Sequence, residues 1–143
     1  MIERDYIKRI IQQFFEVLGT VLNKAQRDEP SLEHAHQQLN NLCLQYIQTD
    51  LDYLLRLPMA EFNAHIDALA AQPTERNMVN LTILAELLYQ HATLMPQCTA
   101  EHISKALYAL QQLDQSSQTF SLVRQQRIAA LKDMKDKKAY PLA

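Results

Sequence analysis

Glycine is almost absent from this chain, since Gly19 is the one glycine among 143 residues. Glycine-rich turns that hold phosphate groups, including the P-loop and the dinucleotide-binding fingerprint, therefore have no counterpart in the sequence. Tight hairpin turns that need positive φ are nearly excluded for the same reason. No segment alternates apolar and polar residues between turn signals, so strands are not expected. The sequence thus excludes the common nucleotide-binding motifs and predicts a helical protein.

Long apolar runs are also missing, because nowhere does the chain approach the roughly 18 uninterrupted apolar residues of a membrane-spanning helix. The first segment carries acidic residues among its apolar ones and does not resemble a signal peptide. Neither Cys43 nor Cys98 has a partner at CxxC spacing. We therefore expect a cytoplasmic protein with reduced thiols and no membrane partner.

The residues that are present match an ordinary globular protein, with 48% hydrophobic and 21% charged residues. A chain of this length can bury a real core as a single domain over residues 1–143. Apolar residues recur at three- and four-residue steps along most of it. This pattern predicts an all-α fold with six to seven antiparallel helices in sequential hairpins.

Local signals set the expected helix boundaries. The first helix is predicted over 5–27, and Ser31 is expected to cap the second helix. Pro58 favours two helices, over 50–56 and 58–70, although one bent helix is the alternative. Further N-caps are expected at Thr74, at Thr99 and at one of Ser116, Ser117 or Thr119. The last predicted helix starts its buried face with Phe120 and Val123, and residues 137–143 are predicted to form a frayed tail.

Two stretches, NLTILAELLYQHATL (80–94) and AEHISKALYALQQLDQSSQTFSLVRQQRIAALK (100–132), resemble tetratricopeptide-type helical hairpins. Leu81, Leu84, Ala85 and Leu88 follow the large/large/small/large spacing of that repeat's first helix. The repeat's glycine and its period of about 34 residues are missing. The opening MIERDYIKRIIQQF, the middle LAELLY and the ending TFSLVRQQRIAALK resemble a family of small uncharacterised bacterial proteins with a tetratricopeptide-like fold. The resemblance implies a fold and no activity.

The first helix is the candidate self-association element. Its residues Ile7 and Phe14, and likewise Ile11 and Leu18, are spaced by sevens, as in a coiled coil. The stripe either packs on the chain's own core or reaches a second subunit, which would give a homodimer. Gly19 costs about 1 kcal/mol relative to alanine in a helix interior. Close approach of another helix backbone would explain why a glycine stands there.

The loop around residues 91–102 contains the residue types of a metal or catalytic site. His91, Cys98, Glu101 and His102 lie close in sequence, but the spacings known from zinc sites are missing. His34 and His36 are two apart on a predicted helix and point in different directions. The sequence therefore predicts no metal ligand, no cofactor and no catalytic residue.

These observations favour a non-enzymatic helical module that binds a protein or peptide and forms a homodimer. Its candidate partner contacts are Phe15, Tyr53, Tyr89 and Tyr108, which flank the apolar stripes. A small-ligand or enzymatic site near 91–102 is the alternative. A weak nucleic-acid binder is the third candidate, because residues 119–143 carry six basic residues against two acidic ones. A solvated helix end explains those charges more simply.

Overall fold

The computed structural model describes residues 2–27, 32–72, 74–95, 98–117 and 119–139. These residues form seven α-helices and no strand, which confirms the predicted all-α fold. The helices are α1 Ile2–Arg27, α2 Leu32–Ile47, α3 Leu51–Arg56, α4 Met59–Ala71, α5 Glu75–Leu94, α6 Ala100–Ser116 and α7 Leu122–Ala139. None of the helices in this described part has the length and apolar content needed to cross a bilayer. The tetratricopeptide-like arrangement stays a prediction.

Most of the local boundary signals act as expected. Pro58 separates α3 from α4, so 50–70 forms two helices, and Pro58 is the residue before α4 rather than its first. The Thr74 hydroxyl accepts a hydrogen bond from the Asn77 amide at 3.1 Å. Thr99 forms a capping box with His102 at the start of α6. Ser31 lies outside the described residues.

The start of α7 differs from the prediction. Ser121, not Ser116, Ser117 or Thr119, accepts the first-turn hydrogen bond, from the Arg124 amide at 3.2 Å. Phe120 therefore precedes the helix, and both Phe120 and Val123 are exposed rather than buried. At the other end α7 continues to Ala139, so 137–139 are helical. Residues 140–143 lie outside the described part of the chain.

The core is organised around α5, which packs against α1, α2, α4 and α6. Half of its 20 residues are buried, including Leu81, Leu84, Ala85 and Leu88. Helix α7 packs on α6 at the edge of this arrangement. Because α5 is covered on most sides, it fixes where the other helices can place functional side chains.

Helix α1 packs its apolar stripe on the chain's own core. Phe14 and Leu18 are almost fully buried in a single chain, while Ile7 and Ile11 are partly buried and pack against the same cluster. Of the two alternatives, the stripe packs on the chain's own core rather than on a second subunit. Phe14 and Leu18 therefore offer no surface to a second subunit. The exposed side of α1 carries Phe15 and Val17 instead.

Gly19 occupies an open position, because a Cβ built there meets no atom within 4 Å. Among the described residues, no helix crosses close to Gly19. We expect Gly19→Ala to raise the free energy of unfolding by about 1 kcal/mol in urea denaturation, through helix propensity alone. The exposed Gln13→Ala on the same helix is the control and should change stability by only about 0.3 kcal/mol. Destabilisation by Gly19→Ala would indicate a helix contact from a second copy.

Candidate functional sites

A groove runs over α5, with α1 on one side and α6 and α7 on the other. It has a volume of about 210 Å³. Its lining residues are Phe15, Thr82, Ala85, Glu86, Leu110, Leu113, Ser121, Val123, Arg124 and Arg127. We call it the α1/α7 groove. Its walls are mainly apolar, and its polar groups come from α5, from α7 and from Ser121, the residue before α7.

Large apolar side chains stand exposed at this groove. Phe15 and Val123 line it, and Phe120 and Leu122 are the chain neighbours of the lining residues Ser121 and Val123. Between 41% and 78% of each of these four side chains is exposed, with Phe120 the most exposed. We call the four the apolar rim. Clustered exposed apolar residues are more typical of an interaction surface than scattered single ones.

The charged groups of the groove are already paired. Arg124 donates to Asp114 at 2.8 Å. This bond is the main reason that the pKa of the Asp114 carboxyl lies below its ordinary value. Arg127 donates to the buried Glu86 carboxylate and lies over the Tyr89 ring, 4.4 Å from its centroid. The groove therefore does not demand a charged occupant.

The four predicted partner contacts have different surroundings. Phe15 lines the α1/α7 groove, and Tyr89 lies next to it beneath Arg127. Tyr53 is exposed on α3 and does not line the groove. The Tyr108 hydroxyl donates to Asp67 at 2.5 Å, which is the main reason that the pKa of Tyr108 is raised. The structure thus brings one of the four residues into the groove and a second to its border.

A second cluster forms where the end of α5 meets the start of α6. The metal-binding atoms of His91, Cys98 and His102 all lie within 4.8 Å of one another. His91 belongs to the last turn of α5, Cys98 to the connection and His102 to the first turn of α6. Glu101 does not join them, because its half-exposed side chain points to Lys105 at 3.9 Å. We call these three residues the His/Cys cluster.

His36 of α2 extends this cluster, although the sequence predicted no metal ligand and placed His36 only beside His34. Its ring centroid lies 5.2 Å from that of His91, the same separation as between His91 and His102. Its Nε2 atom is 2.6 Å from Asp52 Oδ1. No sequence signal connects His36 with His91, because only the packing of α2 on α5 brings the two together.

Burial controls the protonation of the His/Cys cluster. It lowers the pKa of His91 to about 4, with His102 and His36 adding smaller effects of the same sign. The pKa of His102 is also lowered, first by burial and then by Lys105. Burial raises the pKa of the Cys98 thiol, against the opposing effect of Lys138. The lowered pKa values favour neutral imidazoles for His91 and His102 at pH 7, and the raised pKa of Cys98 favours its protonated thiol.

The basic residues of α7 are largely engaged within the chain. Arg124 pairs with Asp114, Arg127 with Glu86, and Lys137 with Asp133 at 3.0 Å. Lys138 donates to the backbone carbonyl of Cys98. These pairs reduce the positive charge that a nucleic acid would meet.

No family model, no curated protein and no solved structure matches this chain.

Proposed function

We propose that this chain is a non-enzymatic helical interaction module that binds a second copy of itself through the α1/α7 groove. The apolar rim carries the proposal, since Phe15 and Val123 line the groove, Phe120 and Leu122 adjoin its lining residues in the chain, and all four are exposed. Homodimer interfaces are more apolar than the rest of a protein surface. Helix α1 keeps its proposed part in self-association, but through Phe15 rather than through the buried Phe14 and Leu18.

A second copy suits this surface because a projection and a recess occur side by side. Phe120 projects from the chain next to Ser121, which lines the groove. In a two-fold symmetric pair, each subunit presents the same patch, so a projecting side chain of one copy can enter the recess of the other. The groove's volume of about 210 Å³ is sufficient for an aromatic side chain. The paired arginines leave no uncompensated charge for that side chain to meet.

The test is the mass of the protein in solution, measured by sedimentation equilibrium or light scattering. We expect a dimer for the wild type and a monomer for Phe120→Asp combined with Val123→Asp. Both residues are more than half exposed, so the variant should keep the helical circular dichroism and the thermal midpoint of the wild type. Leu44→Asp, on α2 and also exposed, is the matched control and should remain dimeric.

Two outcomes would contradict self-association. One is a wild type that stays monomeric up to about 0.5 mM, where only association weaker than about 4–5 kcal/mol escapes detection. The other is a groove variant that dimerises as strongly as the wild type and as Leu44→Asp.

A further inference from the structure

The His/Cys cluster is a set of metal-binding side chains that the packing of three helices completes. We propose that His91, Cys98 and His102, with His36 as a fourth ligand, bind one divalent transition-metal ion, and that zinc is the best match. The site is separate from the α1/α7 groove and does not depend on the proposed dimer. This proposal replaces the prediction of no metal site made from ligand spacing.

The first argument is an unpartnered buried histidine. Only 6% of His91 is exposed, and neither ring nitrogen has a hydrogen-bond partner among the described residues. A buried polar atom without a partner costs about 1–3 kcal/mol, so such atoms are rare in folded proteins. The neighbouring ring nitrogens and sulfur are all potential metal ligands. An ion among them would give the His91 nitrogen that faces it a strong partner.

The second argument is the arrangement of His36. Its Nε2 atom bonds to Asp52, so its Nδ1 atom is the nitrogen left for a metal ion. Metal-binding histidines commonly donate their second ring nitrogen to a carboxylate, which orients the ring and increases its basicity. Asp52 is itself fixed at the start of α3, where its amide donates to Asp50 at 3.0 Å. His36 thus lies beside His91 with the support that a metal-binding histidine requires, but its nitrogens are not among the three ligand atoms within 4.8 Å of one another, so its ring must move to bind the same ion.

The ligand set selects the class of metal. Three imidazoles and one thiolate suit zinc and the softer first-row ions, whereas magnesium and calcium prefer oxygen ligands. In a tetrahedral zinc site, the bond lengths place ligand atoms about 3.3–3.6 Å apart. The ligand atoms of His91, Cys98 and His102 lie within 4.8 Å of one another, so binding an ion requires them to move closer by about 1 Å. His102 would give up only a long 3.5 Å contact with the Thr99 amide if its Nδ1 atom binds the ion.

Binding is a proton-releasing step. The Cys98 thiol loses its proton to solvent as its sulfur bonds to the ion, while the neutral imidazoles bind without releasing one. Zinc and one thiolate together carry one positive charge. The charged groups nearby are two cations, Lys105 and Lys138, and two anions, Asp52 and Glu101, so their charges nearly cancel.

The test uses tag-free, chelator-treated protein titrated with zinc against a competing chromophoric chelator. We expect one ion per chain and a rise in the thermal midpoint at saturation. Cobalt(II) should bind at the same site and produce a thiolate-to-cobalt charge-transfer band together with intense d–d bands, which report sulfur ligation and tetrahedral geometry. Absence of stoichiometric zinc binding at micromolar concentrations would overturn the proposal.

Variants assign the ligands. Cys98→Ser should remove the charge-transfer band and weaken zinc binding at least 100-fold, and His91→Gln should weaken it to a similar extent. His36→Gln should weaken binding 10- to 100-fold. The matched control is His34→Gln, an exposed histidine on α2, which should bind zinc as the wild type does. If Cys98→Ser binds with unchanged affinity, or if His34→Gln loses as much affinity as His36→Gln, the assigned site is wrong.

Discussion

Replacing Lys105 with methionine is expected to lower the free energy of unfolding by about 3 kcal/mol. Lys105 lies on α6, and its side chain is fully buried although it carries a charge. Its ammonium donates to the backbone carbonyls of Leu54, Leu55 and Leu57 at 3.1, 2.7 and 2.6 Å. The last carbonyls of a helix lack amide donors within that helix, and the Lys105 ammonium donates hydrogen bonds to such carbonyls at the end of α3.

The magnitude follows from two opposing effects. A hydrogen bond that involves a charged group contributes about 1.5–3 kcal/mol, and Lys105 makes three. Burial of the ammonium opposes this gain, and the same burial lowers the pKa of Lys105. Methionine fills a similar volume but removes the donor from the carbonyls of Leu55 and Leu57, while the Leu54 carbonyl keeps the Leu57 amide at 3.3 Å, so a net loss of about 3 kcal/mol is expected.

Urea denaturation monitored by circular dichroism measures this loss. Lys132→Met, at an exposed position of α7, is the control and should change stability by less than about 0.5 kcal/mol. If Lys105→Met loses less than about 1 kcal/mol, the three hydrogen bonds do not stabilise the junction of α3 and α4.

The helix boundaries could be predicted where one local signal stood alone. Thr74 and Thr99 each follow a break and precede an apolar stripe, and Pro58 restricts the residue before it, so these positions were predictable. The start of α7 was not predictable in this way. Several hydroxyl residues between 116 and 121 can all cap a helix, and the sequence does not distinguish them from Ser121, which accepts the first-turn amide in the structure. The burial of Phe120 and Val123 was mispredicted for the same reason.

The approach of His36 to the His/Cys cluster and the environment of Lys105 could not be predicted, because both depend on contacts between distant segments. Periodicity indicates which face of a helix is buried, but not which helix covers it. His36 and His91 meet because α2 packs on α5, and Lys105 reaches α3 from α6. A single sequence contains no spacing that reports either contact. The residue types of the His/Cys cluster were visible in the sequence near 91–102. The close approach of their ligand atoms was not.

Replacing Arg127 with methionine is the second large effect that we expect, a loss of about 3 kcal/mol in the free energy of unfolding. Arg127 bonds to Glu86, a buried carboxylate on α5, and so connects α7 to the central helix. Without the guanidinium, Glu86 keeps only the Gln90 amide as a hydrogen-bond donor in the described residues, at 3.2 Å. Removal of one partner from a buried ion pair typically costs about 3–5 kcal/mol, and the partial exposure of Arg127 favours the lower end.

A double variant separates this mechanism from simple loss of packing. If the unpaired Glu86 charge causes the loss, Glu86→Met combined with Arg127→Met should recover most of it, to within about 1 kcal/mol of the wild type. The remainder corresponds to the cation–π contact of Arg127 with Tyr89, which contributes about 0.5–1 kcal/mol. Denaturation of the two single variants, the double variant and the wild type completes the cycle. A double variant at least as unstable as Arg127→Met would indicate that Arg127 stabilises α7 by packing and not by neutralising Glu86.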